Sequence, residues 1–280
     1  MFKVLRAGIQ TTFQDLGRWG FRDRGVPLSG TMDSPLAAFA NALVGNNEEK
    51  TVIEFTFIGP ILEVLETVEV AICGQGLQVL ADHQQLPVNQ KIILHKGQQV
   101  NIRIGLGSVR GYLAVPGGFD VPKVLGSSSY YKGFTIPEIE KGSVLKPLYG
   151  QRESGHLDKD PFDFLGYKCQ SIQVTKGQEF ELLTESMKQE LMKTTFTVHS
   201  QSNRMAVLFE QSLTCGLKEI ITAPVQPGTI QLFPTGKLAV LMRDAQATGG
   251  YARILQLKTQ ALHILTQKPP GSEIHFKLVE

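Results

Sequence analysis

The sequence predicts a mainly β protein with two β-rich lobes and few, short helices. Three observations predict it. Apolar runs are short and closely spaced, each about the length of one strand. Turn-forming residues separate them, with 28 Gly and 14 Pro among 280 residues. Where a run shows a period, the period is two: Ile53, Phe55 and Phe57 alternate with Glu54 and Thr56. Such strands suit an antiparallel barrel or sandwich.

The elements follow in order. Met1-Phe2-Lys3-Val4 opens a strand-like pattern. Asp33-Ser34-Pro35 starts a helix with a polar cap and a proline in the first turn; Leu36, Phe39, Ala40 and Leu43 share one face, and Gly45 stops the run. Glu54, on its alternating strand, reads as solvent-facing, with a carboxylate in a barrel mouth as the alternative. Residues 68–72, 77–81, 91–94, 100–104 and 111–115 read as strands, the last ending at Pro116-Gly117-Gly118. The stretch 127–163 is rich in Gly, Pro, Ser and charge and reads as a surface excursion or a lid. Strands resume at 171–174, 180–183, 196–199, 205–209, 238–241, 253–257 and 274–279. Helices are expected over 184–193, capped by Thr184, and over 259–265, before Pro269-Pro270-Gly271. The texture changes between about residues 150 and 195, giving lobes of 1–185 and 186–280.

Composition narrows the function classes. Hydrophobic residues make up 42% and charged residues 19%, the balance of a soluble globular chain. A net charge of +2 without like-charge runs argues against a nucleic-acid surface or a polybasic membrane patch. Cys73, Cys169 and Cys215 lie far apart, with no CxxC or Cys/His spacing, so neither a metal site nor a disulfide framework is expected. The N-terminus has no signal-peptide core and no long apolar run occurs, so a cytoplasmic location is expected.

Two polar, glycine-rich segments stand out. The first, 11–33, holds Gln14, Asp15, Gly17, Arg18, Ser29, Gly30 and Asp33. Asp15 beside Arg18 reads as a surface ion pair or as an anion clamp, with Arg18 bidentate and Asp15 orienting it. Trp19 reads as a packing residue. Ser29 and Gly30 lead into the first helix, whose N–H groups attract anions. The second segment reads Asp244-Ala245-Gln246-Ala247-Thr248-Gly249-Gly250-Tyr251 and emerges from an apolar strand. Gly249 and Gly250 would let an anion meet backbone N–H groups. Arg204 is a second candidate clamp, an exposed strand-edge charge being equally compatible; Gln231 precedes a further turn. No GxxxxGK[ST] or GxSxG occurs.

Taken together, TTFQDLGRWG with GVPLSGTMD, GPILE, RGYLAVPGGFDVPKVLGS, SNRM, PGTIQ and DAQATGGY resemble the signatures of the biotin-dependent carboxyltransferase A/B family, also called allophanate hydrolase subunit 2. The resemblance spans nearly the whole chain. It implies a cyclophilin-like β-barrel architecture and the C-type subunit of an ATP-dependent 5-oxoprolinase-type complex, opening the lactam of 5-oxoproline to glutamate. Two partners are implied: a B-type subunit, kinase-inhibitor-like and cyclophilin-like, and the A-type lactam-hydrolase subunit. ATP with Mg2+ would serve the complex, and no covalent biotin is expected on this chain. Alternatives are a carboxyltransferase acting on urea or another amide, and a non-catalytic regulatory subunit. The resemblance implies catalytic roles for Asp15, Arg18, Asp33, Arg204, Asp244 and Gln246. It implies substrate or anion binding by Gln14, Ser29, Gly30, Gln231, Thr248, Gly249, Gly250 and Tyr251. The sequence departs from the family pattern: Ser128 stands where the pattern has an arginine, and the segment 202–209 loses an aspartate (Asn203), a glycine (Ala206) and a second arginine; the missing arginines favour the regulatory alternative.

Overall fold

The computed structural model describes residues 1–135, 138–148 and 162–280. The sequence's expectations for 136–137 and 149–161, within the stretch 127–163, lie outside the described residues. The chain divides into two compact units: residues 1–18 with 29–164, and residues 19–28 with 165–280. The sequence places the division later, at 185/186, and does not foresee the inclusion of 19–28. Residues 171–176 belong to the second unit because their strand lies between two later ones.

The first unit holds β1 (Phe2–Arg6), β2 (Gln10–Gln14), β3 (Val52–Thr56), β4 (Ile61–Val64), β5 (Val68–Cys73), β6 (Leu77–Ala81), β7 (Gln84–Leu86), β8 (Lys91–Leu94), β9 (Gln99–Ile104), β10 (Arg110–Ala114) and β11 (Val144–Leu145). They form two antiparallel sheets, ordered β11-β1-β4-β9-β6-β7 and β2-β3-β10-β5-β8. The inner core takes alternate residues, including Phe2, Val4, Ile53, Phe55, Leu62, Ile72, Val79 and Leu113. Helix α1 (Ser34–Leu43) covers the other face of the second sheet, packing Leu36, Ala37 and Ala40 against Val52, Ala71, Tyr112 and Ala114. Asp33 caps the helix by accepting from the Leu36 amide at 3.3 Å, with Pro35 in its first turn.

The reading of Glu54 is corrected. β3 is buried on both faces, so the alternation around Glu54 does not mark a solvent side, and Glu54 is 1% exposed.

The second unit holds β12 (Ser171–Lys176), α2 (Glu185–Lys193), β13 (Phe196–Thr197), β14 (Ala206–Ser212), β15 (Ala223–Pro224), β16 (Thr229–Leu232), β17 (Lys237–Leu241), β18 (Thr248–Gly249), β19 (Ala252–Leu257), α3 (Thr259–Thr266) and β20 (Glu273–Leu278). Its main sheet is ordered β13-β20-β12-β19-β16-β17-β14; β15 and β18 pair separately. Only β12 and β20, among the described pairs, run parallel. The rings of Phe196, Phe209 and Phe276 meet at 5.2 to 5.9 Å between centroids, within the range of aromatic pairs that adds to burial. Thr184 caps α2 as the sequence predicts, accepting from the Met187 amide.

Two further readings change. Phe180–Leu182 is a 3-10 turn rather than a strand: it reverses directly after β12, where residues 177 and 179 bond the carbonyls of β19. Trp19 is 66% exposed and does not serve as core packing. No helix among the described residues is long and apolar enough to cross a membrane.

Candidate functional site

In the first unit the polar residues converge on Asp15, just past β2. Its Oδ1 accepts from the Gly17 amide at 2.8 Å and from the Ser127 and Ser129 hydroxyls at 2.6 Å each. Its Oδ2 accepts from the Ser128 amide at 2.7 Å and the Ser128 hydroxyl at 3.0 Å. Burial raises the Asp15 pKa, but the bonds from Ser127, Ser129, Gly17 and Ser128 outweigh it and hold the group below the usual carboxylate value. A carboxylate offers about four lone-pair sites, and five donors occupy them here. A general base needs a vacant one. The geometry therefore makes Asp15 the pin of a loop cluster rather than a free base. Its backbone extends the pin: the Asp15 carbonyl accepts from the Thr31 amide at 2.9 Å.

Arg18 joins the same cluster without acting as an exposed clamp. It is 1% exposed; Nε donates to the Val124 carbonyl at 3.2 Å, and Nη2 donates to the Ser129 carbonyl. Its guanidinium also lies 5.9 Å from the centre of the Phe134 ring. Gly30 closes the cluster at φ +87°, where a Cβ would stand 2.9 Å from the Gly17 amide nitrogen. Ser29 is buried at φ 55°, and its hydroxyl has no partner among the described residues. Left-handed backbone at a non-glycine residue costs on the order of 1–3 kcal/mol and collects at functional loops. Gln14 is buried and donates to the Thr12 hydroxyl at 3.0 Å.

Asp33 belongs to a neighbouring buried network. Its amide donates to the Tyr112 hydroxyl at 2.9 Å, and that hydroxyl donates to Glu54 Oε2 at 2.7 Å. Glu54 also accepts from the Met32 amide at 2.8 Å. Burial pushes the Tyr112 phenol well above its ordinary range, with the Glu54 and Asp33 charges adding to it. Sequence reasoning misses Tyr112; its one signal is a tyrosine within the apolar run 111–115.

In the second unit Arg204 and Asp244 form a two-pronged buried pair, Nε to Oδ2 at 2.8 Å and Nη2 to Oδ1 at 3.1 Å. The Asp244 amide also donates to the Arg204 carbonyl at 2.9 Å, tying two loops together. This decides against the exposed strand-edge reading of Arg204. Gln231, Gly249 and Tyr251 form another group. Gln231 is buried and its Nε2 reaches the Tyr251 carbonyl at 3.4 Å; a Cβ on Gly249 would stand 2.5 Å from the same nitrogen. The close approach of Gln231 leaves no room for a side chain at position 249. Gly249 is a strand residue paired with Ala223, and the Gly250 carbonyl is bonded by the Ile220 amide. Gln246 and Thr248 are exposed, and the Tyr251 ring meets Phe233 edge-on at 4.4 Å.

Known proteins share this chain's sequence and fold. A profile of the carboxyltransferase domain, subdomain A and B, matches residues 24–278. The C subunit of 5-oxoprolinase from Escherichia coli (strain K12) is 33% identical over 99% of this chain and 90% of its own length. The crystal structure of TTHA0988 gives a TM-score of 0.87 at 29% identity, covering 99% of this chain and 55% of that one. Urea carboxylase of Kluyveromyces lactis gives a TM-score of 0.88 at 25% identity, over 100% of this chain and 27% of that one. The chain thus spans about half of the first of these two structures and about a quarter of the second.

Proposed function

The chain belongs to the carboxyltransferase subdomain A and B family, and from that premise we propose that it is the C-type subunit of an ATP-dependent 5-oxoprolinase complex. One observation carries the reading: the likeness to the C subunit of a 5-oxoprolinase covers 99% of this chain and 90% of that one. In this reading the chain works with two partners, one kinase-inhibitor-like (B-type) and one a lactam hydrolase (A-type), and carries no biotin.

The chemical task is to open an amide whose nitrogen lone pair is delocalised into its carbonyl. Charge building on the carbonyl oxygen has to be stabilised, or the oxygen converted to a better leaving group. ATP would supply that activation in the complex. No step through ATP is assigned to this chain. Its own contribution is a pair of rigid polar surfaces. In the second unit the Arg204–Asp244 pair fixes the loop that leads to Gln246, whose exposed amide is available to a substrate amide. In the first unit the Asp15 pin fixes the loop bearing Ser29 and Gly30.

The likeness to urea carboxylase favours a second reading, transfer of a carboxyl group to an amide nitrogen. A reconstituted assay separates the two. The chain is combined with its genomic partner subunits, and ADP release is followed with and without 5-oxoproline. Lactam-dependent release with stoichiometric glutamate is the expected result. A stable complex that turns over carboxybiotin and urea but not the lactam would overturn it, and one inert to both would leave the regulatory role.

A further inference from the structure

A cavity of about 440 Å3 lies within the second unit, lined in part by Arg22, Lys176, Gln178, Gln226, Thr229 and Arg253. That volume lies in the range of small-molecule sites. None of these residues belongs to the groups described above.

The charges around the cavity are unevenly matched. Lys176 pairs with Glu181 at 2.7 Å, and Arg253 pairs with Glu179 through two bonds of 2.7 and 2.8 Å. Arg22 has no carboxylate partner among the described residues. Its Nη2 donates to the Val225 carbonyl and, at 3.4 Å, to the Gln246 carbonyl, while its Nη1 is buried with no acceptor among the described residues. Burial lowers the Arg22 pKa with no opposing charge to restore it. A guanidinium partly withdrawn from water, with one nitrogen fully buried and no counter-ion, is held unfavourably. Two neutral carbonyls orient it but do not neutralise it. The exposed side chains of Gln178 and Gln226 line the same space and offer amide donors and acceptors to a second polar group.

We propose that this cavity binds a small monocarboxylate bearing an amide, with Arg22 as the counter-ion of the carboxylate and Gln178 and Gln226 receiving the amide end. The uncompensated charge on the wall is single. A carboxylate matches it, whereas a phosphate near two negative charges at neutral pH exceeds it. A planar carboxylate also suits a guanidinium held in place by its other nitrogen. The inference does not depend on the hydrolase reading, because it uses other side chains and concerns binding alone.

Titration calorimetry on the full chain tests it with four probes: N-acetylglycine and L-5-oxoproline, which carry both groups; 2-pyrrolidone, which lacks the carboxylate; and inorganic phosphate. Saturable binding of at least one amide carboxylate is expected, with 2-pyrrolidone about tenfold or more weaker. Arg22→Met should abolish that binding while melting within a few degrees of the parent without ligand, because the side chain is only partly buried and its folded-state bonds are two carbonyl contacts. Arg22→Lys keeps the charge and should bind with intermediate affinity, which guards against a folding defect in the first variant. The proposal is overturned if no amide carboxylate binds at about 10 mM, if Arg22→Met binds as the parent does, or if phosphate alone binds. L-5-oxoproline failing where N-acetylglycine binds would support the site and count against this chain's holding the lactam there.

Discussion

Replacing Asp15 by Asn is the sharpest test of the loop pin. The change keeps the shape and one oxygen but puts an NH2 group where Oδ2 now accepts from the Ser128 amide and hydroxyl. The hydroxyl can rotate to accept instead. The backbone N–H cannot, so it becomes a buried donor without a partner, at a cost of about 1–3 kcal/mol. The bonds from Ser127, Ser129 and Gly17 survive but lose their charge assistance, worth roughly 1 kcal/mol in all once non-additivity is allowed for. The expected destabilisation is therefore about 2–4 kcal/mol, a fall in Tm of several degrees at roughly 2–4 °C per kcal/mol for a unit of this size. Urea denaturation followed by far-UV circular dichroism reads it. A pH series adds a signature that mere crowding would not give. Because the folded pKa of Asp15 is depressed, its contribution is present above the unfolded value near 3.9 and is lost as pH falls through the folded value. The parent should lose stability over that acid interval and the Asn variant should lose less. A variant within about 0.5 kcal/mol of the parent, with an unchanged acid profile, would refute the pin.

Three further outcomes are expected. Removing one partner of the buried Arg204–Asp244 pair, as in Asp244→Asn or Arg204→Met, should destabilise by about 3–5 kcal/mol, while Arg204→Met with Asp244→Leu should recover much of that loss in urea denaturation. Gly30→Ala should cost more than about 1 kcal/mol in the same assay, because its φ is +87° and the new Cβ meets backbone. Among the three thiols, Cys169 should react first with a thiol reagent at pH 8 and Cys73 should react only on unfolding, since burial pushes the Cys73 thiol well up and denies access.

Much of the fold is legible in local pattern. Asp33-Ser34-Pro35 marks α1 and Thr184 marks α2, because a cap is a rule about neighbouring residues. Strand spacing announces the sheets. Glu54 misleads because its burial depends on partners from elsewhere in the chain, Met32 and Tyr112, of which the alternation within β3 carries no sign. Asp15 stands out in the sequence, but its partners lie 112 to 114 positions away. In sequence the serine run registers only as a departure from an arginine. Arg22 sits inside the glycine-rich segment without drawing notice: Asp23 follows it in sequence, and only packing reveals that no carboxylate pairs with it.

The ten residues 19–28 belong to the second unit, while the residues on both sides of them belong to the first. The backbone consequently changes unit three times, after residues 18, 28 and 164. During synthesis this segment leaves the ribosome early, yet the strands it joins emerge only after residue 164. It must wait, held between two stretches that can already fold. A gene cut at residue 164 would likewise deliver neither unit whole: the amino-terminal half would keep a segment that is not its own, and the carboxy-terminal half would lack Arg22. Producing the second unit alone would require residues 19–28 to be supplied in trans or grafted on through a new linker.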